Sequence, residues 1–205
     1  MRRLVFTLTL ALPAGGLVAC SRTDAPPTEP ANAEQAVAST EPAPAEAGRA
    51  AFEARAKAAT GALKKGLMAA LKGAMKDGPA AAVTACNTRA PSIADAAAIA
   101  EVRVGRTATK LRNPANAPAP WLEPLLAEYA AKPAADAQPR VVELGDGRFG
   151  YVEPLYVGGL CLTCHGQPAQ IPDAVKGRLA TLYPRDAATG YDVGAFRGLV
   201  WASGR

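Results

Sequence analysis

Cys161-Leu162-Thr163-Cys164-His165 is the densest run of reactive side chains in the sequence. Two thiols stand three positions apart and an imidazole follows at once. The pattern is C-x-x-C-H, the attachment signature of c-type haem. On one helical turn the two sulfurs reach the two vinyl groups of a porphyrin, and the adjoining imidazole reaches the iron as proximal ligand. One covalently bound haem c is therefore expected, with Cys161 and Cys164 as thioethers and His165 on the iron. Three other chemistries use similar residues. A thioredoxin-like dithiol would follow a strand in a βαβ unit, a pattern missing here. A zinc site would have to combine Cys86, Cys161, Cys164 and His165, and adjacent Cys164 and His165 are poorly placed to share one tetrahedral ion. A Cys161–Cys164 disulfide would close a small strained ring.

His165 is the only histidine, so two histidines of one chain cannot hold the iron. The sixth position is left to Met68, Met75, Cys86, a lysine, or water. Met68 and Met75 are seven apart and lie about 100° from the centre of a helical apolar stripe, where packing at the helix edge also explains them. Cys86 is an odd thiol in a compartment where stray thiols are avoided. It shares a helix face with Val83. A buried, inert cysteine is the plainer reading. Arg106, Arg112 and Asn113 are candidate contacts for the two haem propionates, because carboxylates leaving water need donors and arginine offers a fork. Arg112-Asn113 could equally cap a turn. A peroxidase would want a second histidine as acid and base, and none is present, so no enzyme is expected.

The compartment is read from the N-terminus, MRRLVFTLTLALPAGGLVAC. Arg2 and Arg3 precede the apolar Leu4–Leu12 run, which is too short to span a bilayer. Leu17-Val18-Ala19-Cys20 has the form of a bacterial lipobox, with residues 1–19 as signal peptide and Cys20 lipidated. The protein is then expected to be extracytoplasmic and membrane-anchored through Cys20. Ser21 rather than Asp after the cysteine favours the outer membrane. Residues 20–48, rich in Ala, Pro and Glu, read as a disordered tether, leaving 49–205 as the folded domain.

The elements that must position the motif are readable from periodicity. Phe52, Ala56, Ala59, Leu63, Leu67, Ala70, Leu71 and Ala74 form one stripe of a helix over 49–76. Its Gly61, Gly66 and Gly73 weaken it or permit close packing. A second helix starts at Pro79 and ends near Asn87, and Ser92 with Asp95 resembles a capping box for a third. Val102 and Val104 alternate as in a strand, Asn113–Pro120 reads as a loop, and Trp121–Ala131 as a helix. Gly145-Asp146-Gly147 marks a hairpin between strands 140–144 and 149–157. A helix over 171–182 and a last strand over 195–202 complete an α+β domain: a long helix and short helices, then a small antiparallel sheet.

Composition fits this. The 205 residues include only 11 aromatics, a thin supply for a core, so a bound group that fills space is unsurprising. Residues 51–205 carry 19 basic and 13 acidic side chains. No Lys/Arg run exceeds two residues, so no nucleic-acid partner is expected.

Four segments together carry a resemblance: Ala85-Cys86-Asn87; Gly105-Arg106-Thr107 with Leu111–Pro118; Cys161–Gly166; and Asp186–Tyr191 with Gly198. Residues from about 67 to 201 resemble a family of single-haem c-type proteins with a PAS-like fold, long a domain of unknown function. It occurs alone in periplasmic proteins and as the sensor part of bacterial signalling proteins. In a characterised type of that family the iron is held by the motif histidine and an early cysteine, a position that Cys86 matches. Ala119-Pro120 departs from the family's usual polar residue after Asn-Ala-Pro. The resemblance implies a redox or small-gas sensor module that passes its state to a signalling partner. A periplasmic electron-transfer cytochrome with a redox partner is the alternative.

Overall fold

The computed structural model describes residues 44–205. The expectations for Cys20, the signal peptide and most of the tether lie outside these residues. The tether's last five positions do not follow the expectation. Helix α1 runs Pro44–Ala74, because Pro44 suits a first helical position and Glu46 lies in the first turn, where a negative charge meets the helix dipole. Among the described residues no helix is long and apolar enough to cross a membrane.

After α1 come α2 (Pro79–Ala97), β1 (Arg103–Thr107), α3 (Glu123–Ala130), β2 (Arg140–Gly145), β3 (Arg148–Tyr156), α4 (Leu162–His165), α5 (Asp173–Leu182) and β4 (Phe196–Gly204). All strand pairs are antiparallel and the sheet order is β1-β4-β3-β2. The α+β expectation is therefore met. The β2–β3 turn is made by Asp146 and Gly147, with φ of 51° and 69°. Two left-handed residues in succession match the twist of a two-residue hairpin, and Asp-Gly tolerates them best.

The expected break near Asn87 is absent: α2 continues through Pro91. Pro91 has no N–H, so the Asn87 carbonyl loses its ordinary helical donor. The helix persists because its far half is held from outside. Ile93, Ala94 and Ala97 pack with Val102 and the α1 stripe. Ser92 does not cap a new helix, since its hydroxyl donates to the Arg89 carbonyl at 3.0 Å. Of the four glycines in α1, Gly48, Gly61, Gly66 and Gly73, Gly66 alone meets a neighbour closely. A Cβ there would stand 2.7 Å from Ile93 Cγ2, whereas Gly61 and Gly73 face open space. Gly66 is where α1 and α2 come closest to needing a missing side chain.

Strand alternation buries both faces of the sheet. Val104, Tyr151, Val200 and Ala202 meet Phe52, Ala56, Ala59 and Leu63 of α1. Val152, Leu199 and Trp201 meet Leu122, Leu125, Leu126 and Tyr129 around α3. Trp201 lies over Gly105 and Trp121 over Gly150, in space that any Cβ would occupy. A third cluster, Val83 with Ile171, Val175, Leu179 and Tyr183, joins α2 to α5 and takes in Cys164. That cluster brings the C-x-x-C-H turn against α2.

Candidate functional site

Strand β3 ends at Tyr156, and the chain turns through Gly159–Cys161 into the one-turn helix α4. Cys161, Cys164 and Cys86 are free thiols, each half-buried. No three His, Cys, Asp or Glu side chains among the described residues are grouped to hold a metal ion.

The state of His165 follows from its neighbours. Nδ1 lies 2.7 Å from the Ala188 carbonyl oxygen. A carbonyl can only accept, so Nδ1 carries the proton and donates it there. Nε2 then presents its lone pair. On that side Arg112 Nη1 stands 3.4 Å away, and a guanidinium can only donate. Both partners select the tautomer that ligates through Nε2. Burial, then the Arg112 and Arg197 guanidiniums, hold the imidazole pKa down to about 3, so the ring is neutral at ordinary pH, the form that binds metals.

Residues 186–191 form a strap across the imidazole. Ala187 N donates to Leu111 O at 2.8 Å, Gly190 N to Gly166 O at 2.8 Å, and Tyr191 N to His165 O at 3.1 Å. The Tyr191 ring meets the imidazole edge to face at 6.4 Å between centroids. Asp186 anchors the strap's start. Its Oδ1 accepts from Ala188 N at 2.8 Å and its Oδ2 from Arg112 Nε at 3.0 Å. Both side chains of this ion pair are nearly buried, 13% and 10% exposed. Arg112 Nη2 also donates to the Cys164 carbonyl and, at 3.3 Å, to the Ala188 carbonyl.

The sequence candidates separate accordingly. Cys86 does come to the motif. Burial pushes its thiol up, against the pull of Arg106 and Arg112. The Cys164 thiol, pushed up first by burial, is raised further by charge on Cys86. Burial pushes the Tyr183 hydroxyl up, and the Asn87 side chain, next to Cys86 on α2, pulls it back down. Met68, by contrast, is 43% exposed on α1, and Met75 is half-buried in the turn that follows α1. Asn113 caps its own turn, its Oδ1 accepting from Ala115 N at 3.0 Å. Arg112 is committed to Asp186. Arg106 forms no ion pair among the described residues, yet burial pulls its pKa down, opposed by Cys86 and Tyr183.

Sequence reasoning missed Arg197. It lies on β4, with its guanidinium 5.5 Å from the Tyr191 ring and Nη1 donating to Lys110 O at 3.2 Å. Burial pulls its pKa down. Tyr191 opposes this, and Arg112 and Arg106 add to it. Nothing local marks it, because beyond Tyr191 the groups that give it meaning come from residues 106–112, far away in the chain. Of these three guanidiniums only that of Arg112 has an acid in ion-pair contact among the described residues, Asp186. Burying unpaired charge is costly, and a dianionic group bearing two carboxylates would relieve it. The thiol pair, the ligating tautomer and this excess of cations all fit a haem.

The Tll0287-like family model matches residues 29–203. A solved structure described as the crystal structure of the cyanobacterial haem-protein Tll0287 is similar at 22% sequence identity. It covers 80% of this chain and 96% of its own, with a TM-score of 0.51. At that identity the likeness carries the fold. Among curated proteins none matches.

Proposed function

The chain belongs to the Tll0287-like family, and on that premise we propose that it is a haem-binding protein carrying one covalent c-type haem. The observation that carries this reading is the single turn holding two free thiols and an imidazole whose Nε2 lone pair is selected from both sides. Each thiol, Cys161 and Cys164, would add across a vinyl group, its S–H bond giving one C–S and one C–H bond with no oxidant consumed. His165 and Cys86 would hold the iron, and Arg106 with Arg197 would receive the propionates. Nη1 of Arg112 would turn away from Nε2 on loading. When bound, the haem supplies a one-electron couple and an iron site for small ligands.

The role is non-enzymatic sensing of redox state or of a small gaseous ligand, by a lipoprotein held through Cys20 on the outer side of the cytoplasmic membrane, with the outer membrane favoured. A sensing role is supported by the ligand set. Cys86 belongs to α2 and His165 to α4, so a change of ligation would alter how α2 packs on the rest of the domain. A pure electron carrier would keep both ligands through the cycle. The test is the mass of the mature protein and its reaction with carbon monoxide. A mass exceeding the polypeptide by one haem, lost in Cys161→Ala/Cys164→Ala, and carbon monoxide uptake by the reduced protein are expected. A colourless native protein would end the haem reading. A reduced protein that excludes carbon monoxide would replace sensing by electron transfer.

A further inference from the structure

We infer that Asp186 is the positioning residue of His165. This rests on the haem reading for its purpose but not for its geometry. The Asp186 carboxylate uses its two oxygens for two jobs. Oδ1 accepts from Ala188 N at 2.8 Å, which fixes the peptide whose next carbonyl, that of Ala188 itself, receives the proton of His165 Nδ1 at 2.7 Å. Oδ2 takes Arg112 Nε at 3.0 Å, and Arg112 Nη2 reaches the same Ala188 carbonyl at 3.3 Å. The carbonyl that chooses the tautomer is therefore held from its amide side and from its oxygen side by one acid. A histidine's second nitrogen, bonded in this way, fixes which nitrogen binds metal and how basic it is.

The remaining neighbours cannot supply this. The other strap bonds run from backbone to backbone, except that Lys110 Nζ donates to the Thr189 carbonyl at 2.6 Å, and together they place residues 187, 189, 190 and 191 rather than the Ala188 oxygen. Tyr191 meets the imidazole with its ring, which restricts tilt without choosing a tautomer. Gly190, at φ 75°, lets the strap turn back over Gly166. Among the described residues Asp186 is also the only acid in ion-pair contact with any of the three arginines around the motif, and it pairs with Arg112. Its loss would leave Arg112 with no acid and the carbonyl free to rotate.

Two variants separate the jobs. Asp186→Asn keeps an oxygen for the Ala188 amide but loses the charge that holds Arg112. Asp186→Ala loses both. The first measurement needs no haem: 15N NMR of the imidazole in full-length Cys161→Ala/Cys164→Ala protein. The parent should show one tautomer, protonated at Nδ1. Asp186→Ala should show a mixture with a faster-exchanging ring proton, and Asp186→Asn a smaller change in the same direction. In the haem-loaded protein the midpoint potential should rise, because Arg112 is left uncompensated and His165 becomes a weaker donor. Asp186→Glu should restore part of the parent behaviour. A single Nδ1-protonated tautomer in folded Asp186→Ala would overturn the inference, as would an unchanged potential. Should the native protein carry no haem, the NMR measurement still decides the positioning role, and only the haem reading fails.

Discussion

The two buried polar regions of the molecule are built on opposite plans. Between α1 and the sheet, Glu153 of β3 receives Thr60 Oγ1 at 3.0 Å, Tyr151 OH at 3.0 Å, and Lys64 Nζ. One acid there has three donors, and the single Thr60 hydroxyl proton is shared between Glu153 and the Ala56 carbonyl, 2.9 Å from Oγ1. At the C-x-x-C-H turn the ratio is reversed. Of Arg106, Arg112 and Arg197 only Arg112 has an acid in ion-pair contact among the described residues, Asp186, and three thiols have no partner cysteine. A satisfied network holds elements together. An unsatisfied, cation-rich one is costly unless something else completes it. The first region reads as scaffold and the second as a receptacle.

The comparison is most forcefully broken from the scaffold side. Phe52 is fully buried and stacks on Phe149 at 5.5 Å. Phe52→Ala should cost about 3–5 kcal/mol in denaturant unfolding. Wherever that variant remains folded, its haem spectrum should be unchanged. A spectral change as large as that of a ligand variant would show that the two regions are one.

A smaller effect tests the Glu153 network. Burial by itself would raise this carboxyl, but hydrogen bonds from Lys64, Tyr151 and Thr60 win and hold it below its ordinary value. A depressed carboxyl stabilises the fold above the unfolded-state pKa. That contribution disappears as pH falls through the folded value. Glu153→Gln should cost roughly 1–3 kcal/mol near neutrality. In melting curves taken from pH 7 to pH 3, the gap between parent and variant should shrink as acid is added. A gap independent of pH would mean that shape, not charge, is what Glu153 supplies.

The smallest expected effect has the opposite sign. Arg106→Met removes a desolvated charge that has no ion-pair partner among the described residues. Without haem the variant should be more stable than its parent by about 1 kcal/mol, while haem-loaded protein should lose its native haem spectrum at a higher pH than the parent as acid is added. A haem-free variant less stable than its parent would show that Arg106 is already satisfied within the chain.

Local signals carried much of this and stopped at identifiable places. The C-x-x-C-H run is chemistry in five consecutive residues. Asp146-Gly147 sets its hairpin by backbone preference alone. The shared face of Val83 and Cys86 needed only helical spacing, and it is the face that meets Cys164 and α5. Pro91 misled because a local rule about a missing N–H was outweighed by Ile93, Ala94 and Ala97 reaching the core. Asp186 lay within a segment singled out by resemblance, but its partners Arg112 and Ala188 are joined only by the fold. Arg197 looked like any arginine on an alternating strand. Its significance comes from Arg106 and Arg112, about 90 positions earlier in the numbering.

The strand order has a consequence in time. β4 lies between β1 and β3, yet it is the last of the four strands along the chain. During synthesis or export that begins at the N-terminus, Cys161 to His165 emerges before residues 196–204. Until those arrive, β1 has no neighbour in the sheet, Trp201 has not covered Gly105, and Arg197 is absent from the motif. Long-range pairing of this kind is also slow to form. The cysteines thus have an interval of exposure, set by the topology itself, in which the attachment proposed above would find both sulfurs open before β4 completes the sheet.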